Sequence, residues 1–223
     1  MFDVFLRDVV RRTTVRVNIS STGEQANADS RLPNSFSGKV SDGGRYVLFN
    51  SDASNLVPGD TNDAEDLFVR DLVRGTTERV TVNTEGEQAD GEVLPTAQDA
   101  VFGGIVTGIS AFAFGVYTLS ELNHSMTADG RYVFLSSGAT NLVPEDENGT
   151  QRDIFVRDRV RGTTTLVSVS SSGVQGNASS NAPVTNGDGS VVAFLSSATN
   201  LEDEAESPAP GLALATYMRT IPR

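Results

Sequence analysis

The 223-residue chain contains no cysteine and a single histidine. Without cysteine, the protein can form neither disulfide bonds nor thiolate zinc sites. Basic residues are also scarce, because 17 Lys and Arg stand against 29 Asp and Glu and give a formal net charge of −12. Nucleic-acid binding needs clustered Lys and Arg that neutralise phosphates, so this charge balance argues against it. The same acidic surface is compatible with divalent cations.

Catalytic signatures are equally sparse. The one histidine, His124, lies beside Ser125, but no nucleophile-elbow sequence accompanies the pair. We interpret His124 as an exposed loop residue. No phosphate-binding glycine-rich loop precedes a helical pattern. The sequence therefore predicts that the protein is not an enzyme, and leaves open only paired-carboxylate glycosidase chemistry, which depends on separation in space.

Long apolar segments of the targeting kind are missing as well. No signal peptide is visible, because Asp3, Arg7 and Asp8 interrupt any apolar run at the N-terminus. The charge-free residues 100–119 have about the length that crosses a bilayer. Their glycines and their many β-branched or aromatic residues favour buried strands instead. We expect no membrane span.

What the chain does contain is repetition. The segment Asp66–Asp71 (DLFVRD) recurs as Asp153–Asp158 (DIFVRD) and as residues 3–8 (DVFLRD). A second motif, Gly-Arg-Tyr-Val, begins at Gly44 and at Gly130, and a looser copy of it begins at Gly189. Such a period is typical of solenoids and propellers, whose units bury a face only by stacking.

The repeated segments alternate as strands do, so that Phe68 and Arg70 face one way and their neighbours the other. Gly75 and Gly162 provide the positive φ that a tight hairpin needs, whereas Arg12 at the same place predicts a strained turn. Each unit then forms a four-stranded antiparallel meander, which is the content of one propeller blade. The predicted core lies in the central strands, at Phe68, Val69, Val133, Phe134, Phe155 and Val156.

The predicted fold class is therefore all-β, with β-propeller-type blades and about three blades' worth of strands. Residues 1–201 form the repeat region, with an insertion at about residues 99–122 in the second unit, and residues 202–223 form a divergent tail. Half-blades at the two ends leave open edges that invite pairing with other strands. The repeated arginines stand beside an aspartate in every unit, which predicts structural pairing within each blade rather than ligand binding, at Arg7, Arg70 and Arg157.

On these motifs, the chain resembles the TolB-type, WD-like β-propeller repeat of bacterial exported proteins. The resemblance rests on residues 127–134 (TADGRYVF) followed by the Asp-x-Phe-Val-Arg-Asp segment, and it covers residues 1 to about 201. It implies a periplasmic or secreted location. It does not imply one activity, because such propellers serve as protein-binding discs, enzyme gates and lectin-like surfaces.

Two loops, residues 57–66 and 143–153, carry acidic and amide side chains ahead of the repeated strand. Oxygen ligands at alternate positions of a loop are how proteins gather ligands around calcium. The candidate metal ligands are Asp60, Asn62 and Asp66 in the first loop and Asp146, Asn148 and Asp153 in the second. Asp and Asn also cap turns, and that alternative stays open because the third unit lacks the pattern.

Taken together, these features predict a non-enzymatic propeller-type binding or scaffold module. Its expected partner is a protein, or further propeller blades of the same or another chain. Two alternatives remain, namely an accessory or gating propeller of a larger hydrolase, and a calcium-stabilised surface or ligand-binding module. Neither nucleic acid nor a membrane is an expected partner.

Overall fold

The computed structural model describes residues 2–31, 40–91, 124–202 and 215–220. The predicted insertion at about residues 99–122 lies outside the described residues. Among the described residues there is no helix long and apolar enough to cross a membrane. Thirteen strands are described: β1 (Phe5–Asp8), β2 (Thr13–Arg16), β3 (Ser30–Arg31), β4 (Tyr46–Ser51), β5 (Asp66–Asp71), β6 (Thr76–Arg79), β7 (His124–Met126), β8 (Tyr132–Ser137), β9 (Asp153–Asp158), β10 (Thr163–Leu166), β11 (Ser180–Thr185), β12 (Val191–Ser196) and β13 (Ala215–Thr220).

These strands form four antiparallel sheets in chain order, each a simple meander. The first sheet holds β1 and β2, the second β3 to β6, the third β7 to β10, and the fourth β11 to β13. The second and third sheets confirm the predicted four-stranded blades. In both, the Gly-Arg-Tyr-Val strand pairs with the Asp-x-Phe-Val-Arg-Asp strand over six residues.

The fourth sheet contains a strand that the sequence analysis did not predict. β13 lies in the predicted divergent tail, yet it pairs with β12 as β5 pairs with β4, so that Arg219 occupies the register position of Arg70. The segment Ala-Thr-Tyr-Met-Arg-Thr is therefore a fourth, degenerate copy of the repeated strand. It was missed because Ala215 and Thr220 replace the two aspartates that mark the other copies.

A compensating change accompanies this loss. In the second sheet, Arg45 forms a bidentate ion pair with Asp71, with nitrogen–oxygen distances of 3.1 and 2.7 Å. Arg131 and Asp158 repeat the pair at the same distances in the third sheet. In the fourth sheet, the arginine position is Ser190, so the loss of the aspartate at β13 leaves no unpaired charge.

The hydrophobic core consists of three clusters, one between each pair of consecutive sheets. Leu48, Val69 and Phe155 belong to the cluster between the second and third sheets. All six predicted core residues are buried, with exposed fractions between 0% and 6%. Every inner blade therefore contributes apolar side chains from both of its faces, as a stacked repeat requires.

The hairpin turns follow the prediction. Gly75 and Gly162 have φ of 70° and 71°, and Arg12 adopts a φ of 59°, which is strained for a residue with a side chain. In each turn the preceding aspartate caps the backbone, as when Asp71 accepts hydrogen bonds from the N–H groups of Val73 and Arg74. The Arg45 guanidinium, helped by these N–H groups, lowers the pKa of Asp71 to about 2.

The Asp-Gly turns also join one blade to the next. The Asp42 N–H donates to the Ala128 carbonyl at 2.7 Å, and the Ala128 N–H donates to the Gly187 carbonyl at 2.9 Å. Each following turn lies on a tyrosine ring of the preceding sheet, so that Gly130 faces Tyr46. These turns thus form a continuous row across three sheets.

Candidate functional site

The first acidic loop surrounds the guanidinium group of Arg79. Arg79 Nη1 lies 3.2 Å from Asp60 Oδ1 and 3.1 Å from Asp66 Oδ2. The Thr81 hydroxyl donates to the other oxygen of Asp66, while Asn62 Nδ2 donates to the Ala89 carbonyl at 3.1 Å. Burial raises the pKa of Asp66 despite this guanidinium. The structure therefore brings Asp60 and Asp66 together, around an arginine.

The second acidic loop lacks an equivalent of Arg79. Leu166 stands at the position of Arg79, and the carboxylates are held by neutral amides instead. Gln175 Nε2 donates to Asp146 Oδ1 at 3.0 Å and to Asp153 Oδ2 at 2.8 Å. Asn148 Nδ2 also donates to Asp153 Oδ2, at 2.8 Å. Burial raises the pKa of Asp153, and the buried Asn148 Oδ1 accepts no hydrogen bond.

These contacts distinguish the two candidate metal loops. Across the described ranges, no group of three or more His, Cys, Asp or Glu side chains is placed to hold a metal ion. Calcium binding by Asp60, Asn62 and Asp66 or by Asp146, Asn148 and Asp153 thus stays a prediction. Arg79 supplies the positive charge in the first loop, so the second loop is the better candidate.

If calcium binds, it should act through the second loop, because Arg79 occupies the first. A ligand that binds only the folded state at 100 times its dissociation constant stabilises it by about 2.7 kcal/mol. We expect the melting temperature to rise in calcium relative to chelator, and to rise less in magnesium, which demands tighter octahedral geometry. Asp146→Ala should abolish the rise and Asp60→Ala should preserve it. Identical melting curves in calcium and chelator would leave these residues only their hydrogen-bonding role.

The prediction for His124 was wrong. The residue lies on β7, where it pairs with Leu135, and its side chain is 1% exposed rather than in an exposed loop. Ser125 beside it is equally buried. Both side chains therefore lie inside the fold. The three residues of this strand, His-Ser-Met, carry no apolar alternation, so their local pattern does not indicate a buried strand.

The repeated arginines bond both to their own blade and to the neighbouring one. Arg70 Nη1 donates to the Ser20 carbonyl of the preceding unit at 3.1 Å. Arg157 donates to the Asn83 carbonyl at 3.0 Å, and Arg219 to the Val169 carbonyl at 2.8 Å. The expected pairing within each blade is therefore only part of their role, because Arg70 also bonds to Thr77 and Arg157 also bonds to Thr164. Side chains that cross between sheets cannot be recognised from sequence adjacency.

Each arginine acts together with a threonine on the next strand. The Thr77 hydroxyl accepts from Arg70 at 3.0 Å and donates to the Ile19 carbonyl at 2.5 Å. The Thr77 N–H in turn donates to the Ser21 hydroxyl at 2.9 Å. Two carbonyls and one hydroxyl of a single turn are thus held by one arginine–threonine pair.

The first sheet carries the same pair on a face that no described sheet covers. We name this face, formed by Phe5, Arg7 and Thr14, the N-terminal face. Leu6 points the other way and packs against the core cluster that the first and second sheets share. Arg7 Nη1 donates to the Thr14 hydroxyl at 2.9 Å, as Arg70 does to Thr77.

This face is exposed to solvent, whereas its internal copies are buried. Phe5 is 54% exposed, whereas the equivalent Phe68 and Phe155 are 0% exposed. Thr14 is exposed, whereas the equivalent Thr77 and Thr164 are buried. Sequence reasoning missed this face, although the seven-residue spacing from arginine to threonine was visible in all three copies.

Comparison with known proteins addresses the fold. No family model matches the sequence, and no curated protein matches it either. Among solved structures, the tricorn protease aligns with a TM-score of 0.50 at 11% identity, covering 98% of this chain and 15% of that one. TolB from Acinetobacter baumannii aligns with a TM-score of 0.44 at 14% identity, covering 98% of this chain and 35% of that one. An oligogalacturonate lyase from Vibrio parahaemolyticus aligns with a TM-score of 0.42 at 11% identity, covering 89% of this chain and 37% of that one.

The fold is of the β-propeller type. The four-stranded antiparallel blades and the tricorn protease alignment support this conclusion. At 11% identity the alignment speaks for the fold alone, and the chain spans well under two thirds of each of these proteins.

Proposed function

We propose that this protein is a non-enzymatic binding module that docks another polypeptide on its N-terminal face. The observation that carries the proposal is Phe5, which is 54% exposed at a position where both internal copies are fully buried. An aromatic side chain of this kind contributes a large apolar area when a partner covers it. Binding to a rigid surface loses less conformational entropy and is therefore tighter, and a sheet face is rigid.

The charges of the face suit a polypeptide rather than a polyanion. The internal copies of Arg7 donate to backbone carbonyls, as Arg70 does to that of Ser20. Arg16 stacks on the Phe5 ring at 5.3 Å from its centroid. The chain as a whole carries a net charge of −12. A phosphate-rich partner would be repelled by that charge, whereas a neutral backbone would not.

The proposal extends to the kind of partner and to the location of the protein. The docked polypeptide can be a further blade or a domain of another protein, including a hydrolase that this propeller accompanies. An extracytoplasmic location belongs to the proposal as well, and it rests on the resemblance of the repeat motifs alone.

Selection from a library of random peptides displayed on phage tests the docking face directly. We expect recovered peptides to bind the wild-type protein and to lose binding to Phe5→Ser by tenfold or more. Val174→Ser is the matched control, because Val174 is 53% exposed at a site away from this face. Failure to recover any binding peptide, or equal binding to the Phe5→Ser protein, would overturn the proposal.

A further inference from the structure

We infer that the N-terminal face recognises a tight turn with the sequence pattern aliphatic–Ser/Asn–Ser/Thr–x–Gly in its partner. The inference rests on the proposed function and names the segment of the partner that is bound. It comes from three turns of the chain itself. Each turn packs against the following sheet, on the residues that are equivalent to the N-terminal face or on some of them.

The three turns have the same sequence pattern and the same shape. Residues 19–23 read Ile-Ser-Ser-Thr-Gly, residues 82–86 read Val-Asn-Thr-Glu-Gly, and residues 169–173 read Val-Ser-Ser-Ser-Gly. In each, the glycine has a φ between 87° and 90° and donates its N–H to the carbonyl of the Ser or Asn. A glutamine two residues beyond the glycine closes the hairpin by a backbone bridge.

Two backbone carbonyls and one hydroxyl of the turn have partners on the receiving sheet. The aliphatic residue provides the carbonyl that the threonine hydroxyl contacts, as when Thr164 donates to Val82 at 2.5 Å. The next residue provides the carbonyl for the arginine, as Asn83 does for Arg157 at 3.0 Å. The Ser or Thr hydroxyl then accepts the N–H of the receiving threonine, as Thr84 does from Thr164 at 3.1 Å.

The glycine of the pattern is needed for the backbone rather than for contact. A φ near 90° is accessible to glycine but costly for other residues. For Gly23 and Gly86, no atom lies within 4 Å of the place where a Cβ would stand. The turn shape, and not a steric fit around the glycine, therefore fixes this position of the pattern.

The N-terminal face already holds the receiving groups in the geometry of the bound copies. The bond from Arg7 to the Thr14 hydroxyl is 2.9 Å, against 3.0 Å in the pair of Arg70 and Thr77, where a turn is bound. A side chain that is fixed before binding loses less conformational freedom on binding. Arg7 and Thr14 are both exposed, so an incoming turn meets no obstruction from either side chain.

A cyclic peptide of residues 81–89 (TVNTEGEQA) is a suitable probe, because the Ala89 N–H donates to the Thr81 carbonyl at 3.0 Å and holds its ends together. We expect binding to the full chain by calorimetry, with shifts of the Thr14 amide in NMR spectra. Arg7→Ala and Thr14→Val should each weaken binding at least tenfold. Arg11→Ala is the matched control, because Arg11 pairs with Asp8 and should leave binding unchanged.

The peptide itself supplies the second arm of the test. Replacing the peptide threonine that corresponds to Thr84 with valine removes the hydroxyl and keeps the shape, so binding should fall at least tenfold. No binding of the parent peptide, or equal binding of the valine peptide, would overturn the inference. The proposed function would survive that result if selected peptides of another pattern still bound through Phe5, and it would fall with the inference if none did.

Discussion

Gly130→Ala should destabilise the protein by about 2–5 kcal/mol. Gly130 has a φ of +72°, and a left-handed conformation costs a residue with a side chain about 1–2 kcal/mol. A Cβ there would also lie 2.3 Å from Cδ2 and 2.7 Å from Cγ of the Tyr46 ring. Relieving such a clash in a packed interface typically costs about 1–3 kcal/mol more. The Tyr46 ring cannot simply withdraw, because the guanidinium of Arg159 stacks on it at 4.5 Å from the centroid.

Gly149→Ala isolates the backbone part of this effect. Gly149 has a φ of +70°, but no atom lies within 4 Å of the place where its Cβ would stand. We expect a loss of only about 1–2 kcal/mol in this variant. Both free energies of unfolding can be measured by urea denaturation. Equal losses in the two variants would show that the Asp-Gly turn does not lie on the Tyr46 ring.

Much of the fold was accessible from the sequence because the repeats carry their own structural signals. Period-2 alternation in Asp66–Asp71 and Asp153–Asp158 identified central strands, and the glycines after them identified the hairpins. These signals are local, since strand and turn depend on neighbouring residues. The row of Asp-Gly turns was not accessible, because Gly130 and Tyr46 meet only after two sheets have stacked.

The degenerate strand β13 shows where the repeat signal ends. Its motif keeps Arg219 but lacks both aspartates. The second aspartate, at the position of Thr220, forms an ion pair with an arginine in the other copies, and Ser190 replaces that arginine here. The register with β12 preserves the strand without the charges. A search for Arg alone at that spacing would have found the strand, together with many false matches.

The candidate docking face was hidden for a different reason. Phe5, Phe68 and Phe155 are the same residue in the same motif, and nothing in their local sequence distinguishes them. Whether such a phenylalanine is buried depends on a sheet from another part of the chain or from a partner. Exposure of a repeated residue is therefore a property of the stacked structure, and the sequence predicts only that the position is suited to burial.

Phe155→Ala should cost about 3–5 kcal/mol, the usual range for a buried phenylalanine. Phe155 is 0% exposed and belongs to the cluster between the second and third sheets. Truncation loses the transfer free energy of the ring and leaves a cavity that a stiff sheet cannot close. Denaturant unfolding followed by circular dichroism measures the loss. A value below about 1 kcal/mol, typical of surface sites, would contradict the packing of these two blades.

Phe5→Ala gives the matched comparison, because the same residue of the same motif is changed on the open face. Since Phe5 is 54% exposed, about half of its area is already in water, and the loss in the isolated protein should stay below about 1.5 kcal/mol. The difference between the losses of the two variants measures how much a covering sheet contributes to the free energy of unfolding. With the cyclic peptide of residues 81–89 bound in excess, the Phe5→Ala loss should grow, because mass action stabilises only the protein that binds the peptide. If Phe5→Ala instead costs as much as Phe155→Ala without any partner, the N-terminal face is covered within this chain and has no docking role.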